Sequence, residues 1–162
     1  MLRSYYYLLI LIITSPMQVN PKTVQSAVSH FSLQIYYEDT DFSGVVYHPN
    51  FLKYFERARE HVIGVNTLAQ LWKQKQLGFA VYRSDMTCFE GVEFADILDV
   101  RTQFHFESKY RTVWHQEIWR PNSQKAAVTA NIEMVCMNQS RQLIPMPTEL
   151  ILQLGQDPAT LT

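Results

Sequence analysis

The densest chemistry-bearing stretch of the chain is QIYYEDTDFSGVVYHPNFLKYF, from Gln34 to Phe55. Glu38, Asp39 and Asp41 set three carboxylates close together, with Gly44 and His48 just after them. Carboxylates at such a point can cap a helix, bind a cation, or act as general base or nucleophile. In an extended segment Asp39 and Asp41 share a face. On residue types alone, capping or turn-making is the favoured reading of the trio. Gly44 reads as a turn residue. Pro49 suits a first helical turn because its missing N–H would find no intrahelical partner there. The N–H groups around His48, Asn50 and Phe51 then point out of the helix start, where they can stabilise a developing oxyanion. Pro49 has none to give, so His48 is the candidate donor.

These residues need elements to hold them. FSLQIYY (31–37) alternates as a strand with one face on a core. PNFLKYFERAREHVI (49–63) has helical periodicity, with Phe51, Leu52, Tyr54, Phe55, Ala58 and Val62 as its apolar face. Lys53, Glu56, Arg57, Arg59 and Glu60 fall on the polar side, where ion pairing is the simplest role for Glu56. Gly64 is its expected C-terminal cap. Residues 67–76, with Leu68, Leu71 and Trp72 on one side, predict a shorter helix closed by Gly78. Strand-like stretches follow at 79–88, 98–109, 112–120, 125–137 and 142–144, with a turn at 121–124. One strand, two helices and a run of long strands make an α+β fold with a largely antiparallel sheet. A single long helix covers one sheet face, and the other reads as too apolar for solvent, so a second subunit is expected there.

Composition narrows the class. Of 162 residues, 47% are hydrophobic and only 18% charged, which excludes a disordered chain. Fourteen Lys and Arg against 15 Asp and Glu leave a net charge of −1, so no nucleic-acid groove or polybasic membrane patch is indicated. Cys88 and Cys136 sit in apolar strand-like stretches and read as buried free thiols, consistent with a reducing compartment. His105 with Glu107, and His115 with Glu117, each share a strand face but lack a third clear metal ligand. The apolar run from Tyr5 to Ile13 is too short to span a bilayer. No cleavage site follows it closely, so residues 1–28 read as an extension: an upstream start ahead of Met17, with an export signal or membrane tether as alternatives. The expected division is extension 1–28, domain 29–150 and tail 151–162.

The segments Tyr36-Tyr37-Glu38-Asp39-Thr40-Asp41, Gly44-Val45-Val46-Tyr47-His48 and Tyr54-Phe55-Glu56-Arg57-Ala58-Arg59 resemble, in order and spacing, the 4-hydroxybenzoyl-CoA thioesterase family, in particular its YbgC-like acyl-CoA thioesterases. The resemblance implies a hotdog fold, a long central helix wrapped by an antiparallel sheet of five or six strands. It further implies a cytoplasmic dimer with active sites at the interface, often paired into a homotetramer. Asp41 matches the catalytic Asp, as nucleophile or as base, and His48 the helix-start oxyanion donor. Gly44 and Tyr47 belong to the matching substrate-binding segment. Lys109, Arg111 and Arg141 lie where family members contact the nucleotide of CoA, although Ser108-Lys109-Tyr110-Arg111-Thr112 departs from the usual Arg-Gly-Thr-Ser run. No metal or cofactor is implied, CoA being part of the substrate. The expected activity is hydrolysis of a short- or medium-chain acyl-CoA or aryl-CoA; the alternative is a non-catalytic module binding acyl-CoA or acyl-carrier protein.

Overall fold

The computed structural model describes residues 25–155, 159 and 161. The apolar run and most of the extension expected at 1–28 lie outside the described residues. The elements in chain order are β1 (Ser29–Gln34), a 3-10 turn (Tyr37–Asp39), α1 (Pro49–Ile63), α2 (Val65–Lys75), β2 (Leu77–Cys88), β3 (Ile97–Ser108), β4 (Arg111–Trp119), β5 (Val128–Asn138), β6 (Leu143–Ile144) and α3 (Thr148–Gln153). They form one antiparallel sheet in the order β1-β3-β4-β5-β2, with β6 added beside β5. This is the α+β arrangement the sequence predicts.

Strict alternation on β3, β4 and β5 turns Leu98, Val100, Phe104, Phe106, Trp114, Ile118, Ile132 and Met134 to one face, all buried. Tyr54, Phe55, Ala58 and Ile63 of α1 are buried in the same core. Phe104 stacks on Trp114 with ring centroids 4.6 Å apart, a contact that adds to their area burial. Each of the large buried side chains contributes roughly 1.5–3 kcal/mol.

One polar network crosses this core. Arg59, only 3% exposed, donates to Gln116 Oε1 at 2.8 Å and to Glu56 Oε2 at 2.7 Å. Gln116 Nε2 in turn donates to the Phe55 carbonyl and to Thr102 Oγ1, both at 3.0 Å. Arg59 therefore faces the sheet rather than the polar side expected for it, while Leu52 turns out to solvent. Glu56 does pair on its own helix, as predicted.

Other expectations change as well. Gln76, in the left-handed region with φ 54°, ends α2, and Gly78 begins a strand instead of closing a helix. The uncovered sheet face is polar, not apolar: Asp99, Arg101, Gln103, His105 and Glu107 alternate with the core residues of β3, as do His115 and Glu117 on β4 and Asn131 and Glu133 on β5. Cys136 is buried, and burial pushes its thiol up to about 11, but Cys88 is exposed because β2 is an edge strand. Ser26 bonds along Phe104, and α3 buries Leu150 and Ile151, so the packed body runs past 29 and 150 in both directions.

Gln116→Leu keeps the volume but removes both donors and the acceptor for a buried guanidinium. The expected cost is about 3 kcal/mol, measurable as a lower urea midpoint with unchanged slope.

Candidate active site

Residues 39–47 fold back as a small hairpin. Tyr47 N–H donates to the Asp39 carbonyl at 2.9 Å, Thr40 bridges Val46, and Asp41 N–H donates to the Val45 carbonyl at 2.9 Å. Gly44 closes it at φ +85°, a conformation that side chains rarely adopt. Asp39 and Asp41 end up with different work. The Asp39 carboxylate caps the 3-10 turn through Tyr36 N–H at 2.9 Å. Asp41 sits at the hairpin tip, where Oδ1 accepts the Ser43 N–H at 2.8 Å and the Ser43 hydroxyl at 2.5 Å. Among the described residues Oδ2 has no partner. The bonds from Ser43, aided by His48 nearby, hold the Asp41 carboxyl below the usual carboxylate value. It is ionised at neutral pH, with one oxygen open.

The head of α1 comes next in the chain. Asn50 N–H is taken by the Tyr47 carbonyl at 2.8 Å, Phe51 N–H by the His48 carbonyl at 3.2 Å, and Pro49 has no N–H. That leaves the His48 N–H, at the positive end of the helix, without an acceptor among the described residues. An ionised carboxylate and an open amide donor thus flank the same helix start. The His48 ring rests edge-on against Tyr47, centroids 5.0 Å apart, and both side chains are exposed. Phe42, Tyr37 and Tyr36 are also exposed around the tip.

Two side chains, Ser43 and Asn50, escaped sequence reasoning. Ser43 carries the Asp-x-Ser spacing of an Asx turn, a signal that was there to read. Asn50 is 8% exposed, and its Nδ2 donates to the Asp39 carbonyl at 2.9 Å. Nothing local in the sequence marks that bond.

The remaining predicted residues lie elsewhere. Lys109 sits in the β3–β4 turn, Arg111 opens β4, and Arg141, at φ 60°, lies in the β5–β6 turn. Arg111 and Arg141 line one groove of about 510 Å³ with Tyr82, Tyr110, Met137 and Leu143. Arg111 is already paired with Glu107 and Glu133, so it is neutralised where it stands. A second cavity, of about 190 Å³, opens between α1, α2 and β2. Its walls include Arg59, Ile63, Leu68, Trp72, Phe79 and Met134. The hairpin is anchored at the Ile97 end of β3, through Ile35 to Asp96 and Val45 to Glu93. The groove lies toward the other end, at Ser108 and Arg111, while the cavity runs from Leu77 and Phe79 back along α1 to Arg59 and Glu56. At about 3.3 Å per residue, the length of β3 separates hairpin and groove by on the order of 35 Å. A single chain does not bring Asp41 together with Lys109, Arg111 and Arg141. Among the described residues no group of three His, Cys, Asp or Glu could hold a metal ion, and no helix is long and apolar enough to cross a membrane.

Comparison with known proteins meets this geometry. The family model of the thioesterase-like superfamily matches residues 36–154. Acyl-CoA thioesterase YbgC of Haemophilus influenzae is 30% identical over 122 residues, covering 74% of this chain and 89% of that protein. YbgC of Helicobacter pylori is 41% identical over 88 residues, 53% of this chain and 63% of that protein. The crystal structure of the 1,4-dihydroxy-2-naphthoyl-CoA thioesterase Slr0204 from Synechocystis superposes with a TM-score of 0.73 at 22% identity, over 79% of this chain and 96% of that one. Hairpin, helix head and strands β2 to β6 fall inside the matched span, and the chain belongs to the thioesterase-like superfamily as a thioester hydrolase of the hotdog fold.

Proposed function

We propose that the chain hydrolyses acyl- or aryl-CoA thioesters to the free acid and CoA, with Asp41 and the His48 N–H as its working pair. The observation that carries this reading is the open Oδ2 of an ionised Asp41 on the hairpin that leads into the open N–H at the head of α1. A thioester carbonyl polarised by the His48 N–H is open to attack. Asp41 Oδ2 either attacks the carbonyl carbon, expelling CoA thiolate and leaving a mixed anhydride that water cleaves, or takes a proton from the attacking water. Both routes balance to acid plus thiol and use no metal or cofactor. One preorganised backbone donor is worth about 2.7–4 kcal/mol of barrier. Gly44 permits the hairpin, and Tyr47 flanks the reacting carbonyl.

The proposed working unit is a dimer, because neither end of the sheet holds a whole site. β2 is a twelve-residue edge strand with Val81 and Tyr82 exposed. A two-fold axis through that edge reverses β2 against its copy and keeps both helices on one face. It carries Asp41 of one copy toward the groove and cavity of the other. Lys109 and Arg141 then face the phosphates of CoA, with Arg111 as part of the groove wall. The acyl group enters the cavity of about 190 Å³, whose size fits one aromatic ring or a short chain, since a cavity of about 150 Å³ takes benzene. Two unpaired cysteines support a cytoplasmic setting.

Three measurements bear on this reading. Asp41→Asn should lower kcat by about 100-fold or more, read as CoA thiol release from an acyl- and aryl-CoA panel; wild-type turnover by a folded dimer would refute the role. Tight binding with no turnover by the wild-type protein would instead identify a binding module.

The acid limb of kcat/KM should lie lower than an ordinary carboxylate would set it, because the bonds from Ser43 hold the Asp41 carboxyl down. Ser43→Ala removes the hydroxyl that favours the ionised form, so protonation occurs at higher pH and the limb moves up. An unmoved limb means another group controls it.

Differently tagged heterodimers of Asp41→Asn with a Lys109→Ala/Arg141→Ala copy contain one intact composite site. At low substrate they should recover about half of wild-type activity, while each parent dimer stays low. No recovery would place both parts of the site in one chain.

A further inference from the structure

We propose that Asn50 is a positioning residue for this reaction, clamping the hairpin that carries Asp41 to the helix head that carries the His48 N–H. The proposal rests on the Asp41–His48 reading above. Asn50 is the second residue of α1, and its side chain is 8% exposed. It reaches back eleven positions to donate from Nδ2 to the Asp39 carbonyl at 2.9 Å, while its own N–H holds the Tyr47 carbonyl at 2.8 Å. The same Asp39 carbonyl accepts the Tyr47 N–H, so both lone pairs are used at the base of the hairpin. From the other side, the Asp39 carboxylate accepts the Tyr36 N–H at 2.9 Å. Asp39 is thereby held at both its carbonyl and its carboxylate, and Asp41 is two residues further along a ladder closed by Val45.

The chemistry needs this rigidity. A carboxylate oxygen and an amide hydrogen must address one carbonyl group at the same moment, and an error of about 1 Å in such a pair costs on the order of 100-fold in rate. Asp41 stands on an exposed tip whose bonds to Ser43 are internal to the hairpin. Those bonds shape the tip but do not aim it. The bond from Asn50 crosses from helix to hairpin and aims it. An amide donor is required, because an ionised carboxylate in its place has no hydrogen to give and would set one acceptor against another.

The test compares kcat, KM and dimer mass for Asn50→Ala and Asn50→Asp, with Asn50→Ala also made in the Asp41→Asn background. Asn50→Ala should lower kcat roughly 10- to 100-fold with KM changed less than about two-fold. In the Asp41→Asn background it should cost less than about two-fold more, since residues acting as a unit are non-additive. Asn50→Asp should be nearly inactive at pH 8 and regain activity as the pH falls and the new carboxyl takes up a proton it can donate to the Asp39 carbonyl. Equal losses in both backgrounds, or an Asn50→Asp profile parallel to wild type, would reduce Asn50 to a general packing role and overturn the proposal. Wild-type turnover in Asp41→Asn sinks the Asp41 assignment and the clamp with it. An inactive Asp41→Asn beside a fully active Asn50→Ala sinks the clamp alone.

Discussion

Gln116 holds the fold to one geometry. It is the polar side chain that reaches from the middle of the sheet to the backbone of α1 at Phe55, and it also receives Arg59. Apolar packing alone leaves a helix free to slide or rotate by small amounts over a flat sheet, since dispersion contacts are non-directional. Two directed bonds separated by one helical turn remove both freedoms. A buried guanidinium without a partner is expensive, so a shifted register of α1 is penalised twice. The position of the helix head, and with it the His48 N–H, follows from that lock some ten residues away.

How much of this was legible in the sequence depends on how local each signal is. The span of α1, from Pro49 to a Gly64 cap at φ +93°, was readable because proline, periodicity and glycine all lie within the helix. The four long strands were readable from their Val, Ile, Thr and aromatic content. The inward turn of Arg59 was not, because its partner Gln116 is 57 positions away and an arginine reads as surface in any local window. Leu52 misleads in the opposite sense, as an apolar residue left outside. The polar character of the uncovered sheet face was hidden by the bulk of Val, Trp and Tyr interleaved with its charges. Cys88 looked buried because its neighbours are strand-like, but burial there is set by the place of β2 in the sheet order.

The site shows the same division. Asp41, Gly44 and His48 lie within eight residues, and the chain brings them together by local hydrogen bonds. Lys109, Arg111 and Arg141 belong to turns at the far end of the sheet, and no spacing rule links those turns to the hairpin. Whether two loops at opposite ends of a sheet can serve one substrate is a matter of symmetry, which a single sequence does not display.

One small feature has a disproportionate effect on what the molecule can accommodate. Gly64 alone separates α1 from α2: its N–H ends one helix on Glu60 at 2.8 Å, and its carbonyl receives Leu68 at 3.1 Å. A Cβ there would meet Thr67 Oγ1 at 3.3 Å on a backbone conformation side chains avoid. The corner is a stiff bracket rather than a hinge, and Ile63 on one arm and Trp72 on the other line the same cavity. Its bore is therefore set by a backbone angle, remote from the hairpin. On the proposed reading, the walls that bound a guest and the carboxylate that breaks its bond belong to separate parts of the chain, so the bracket can be altered without touching the hairpin.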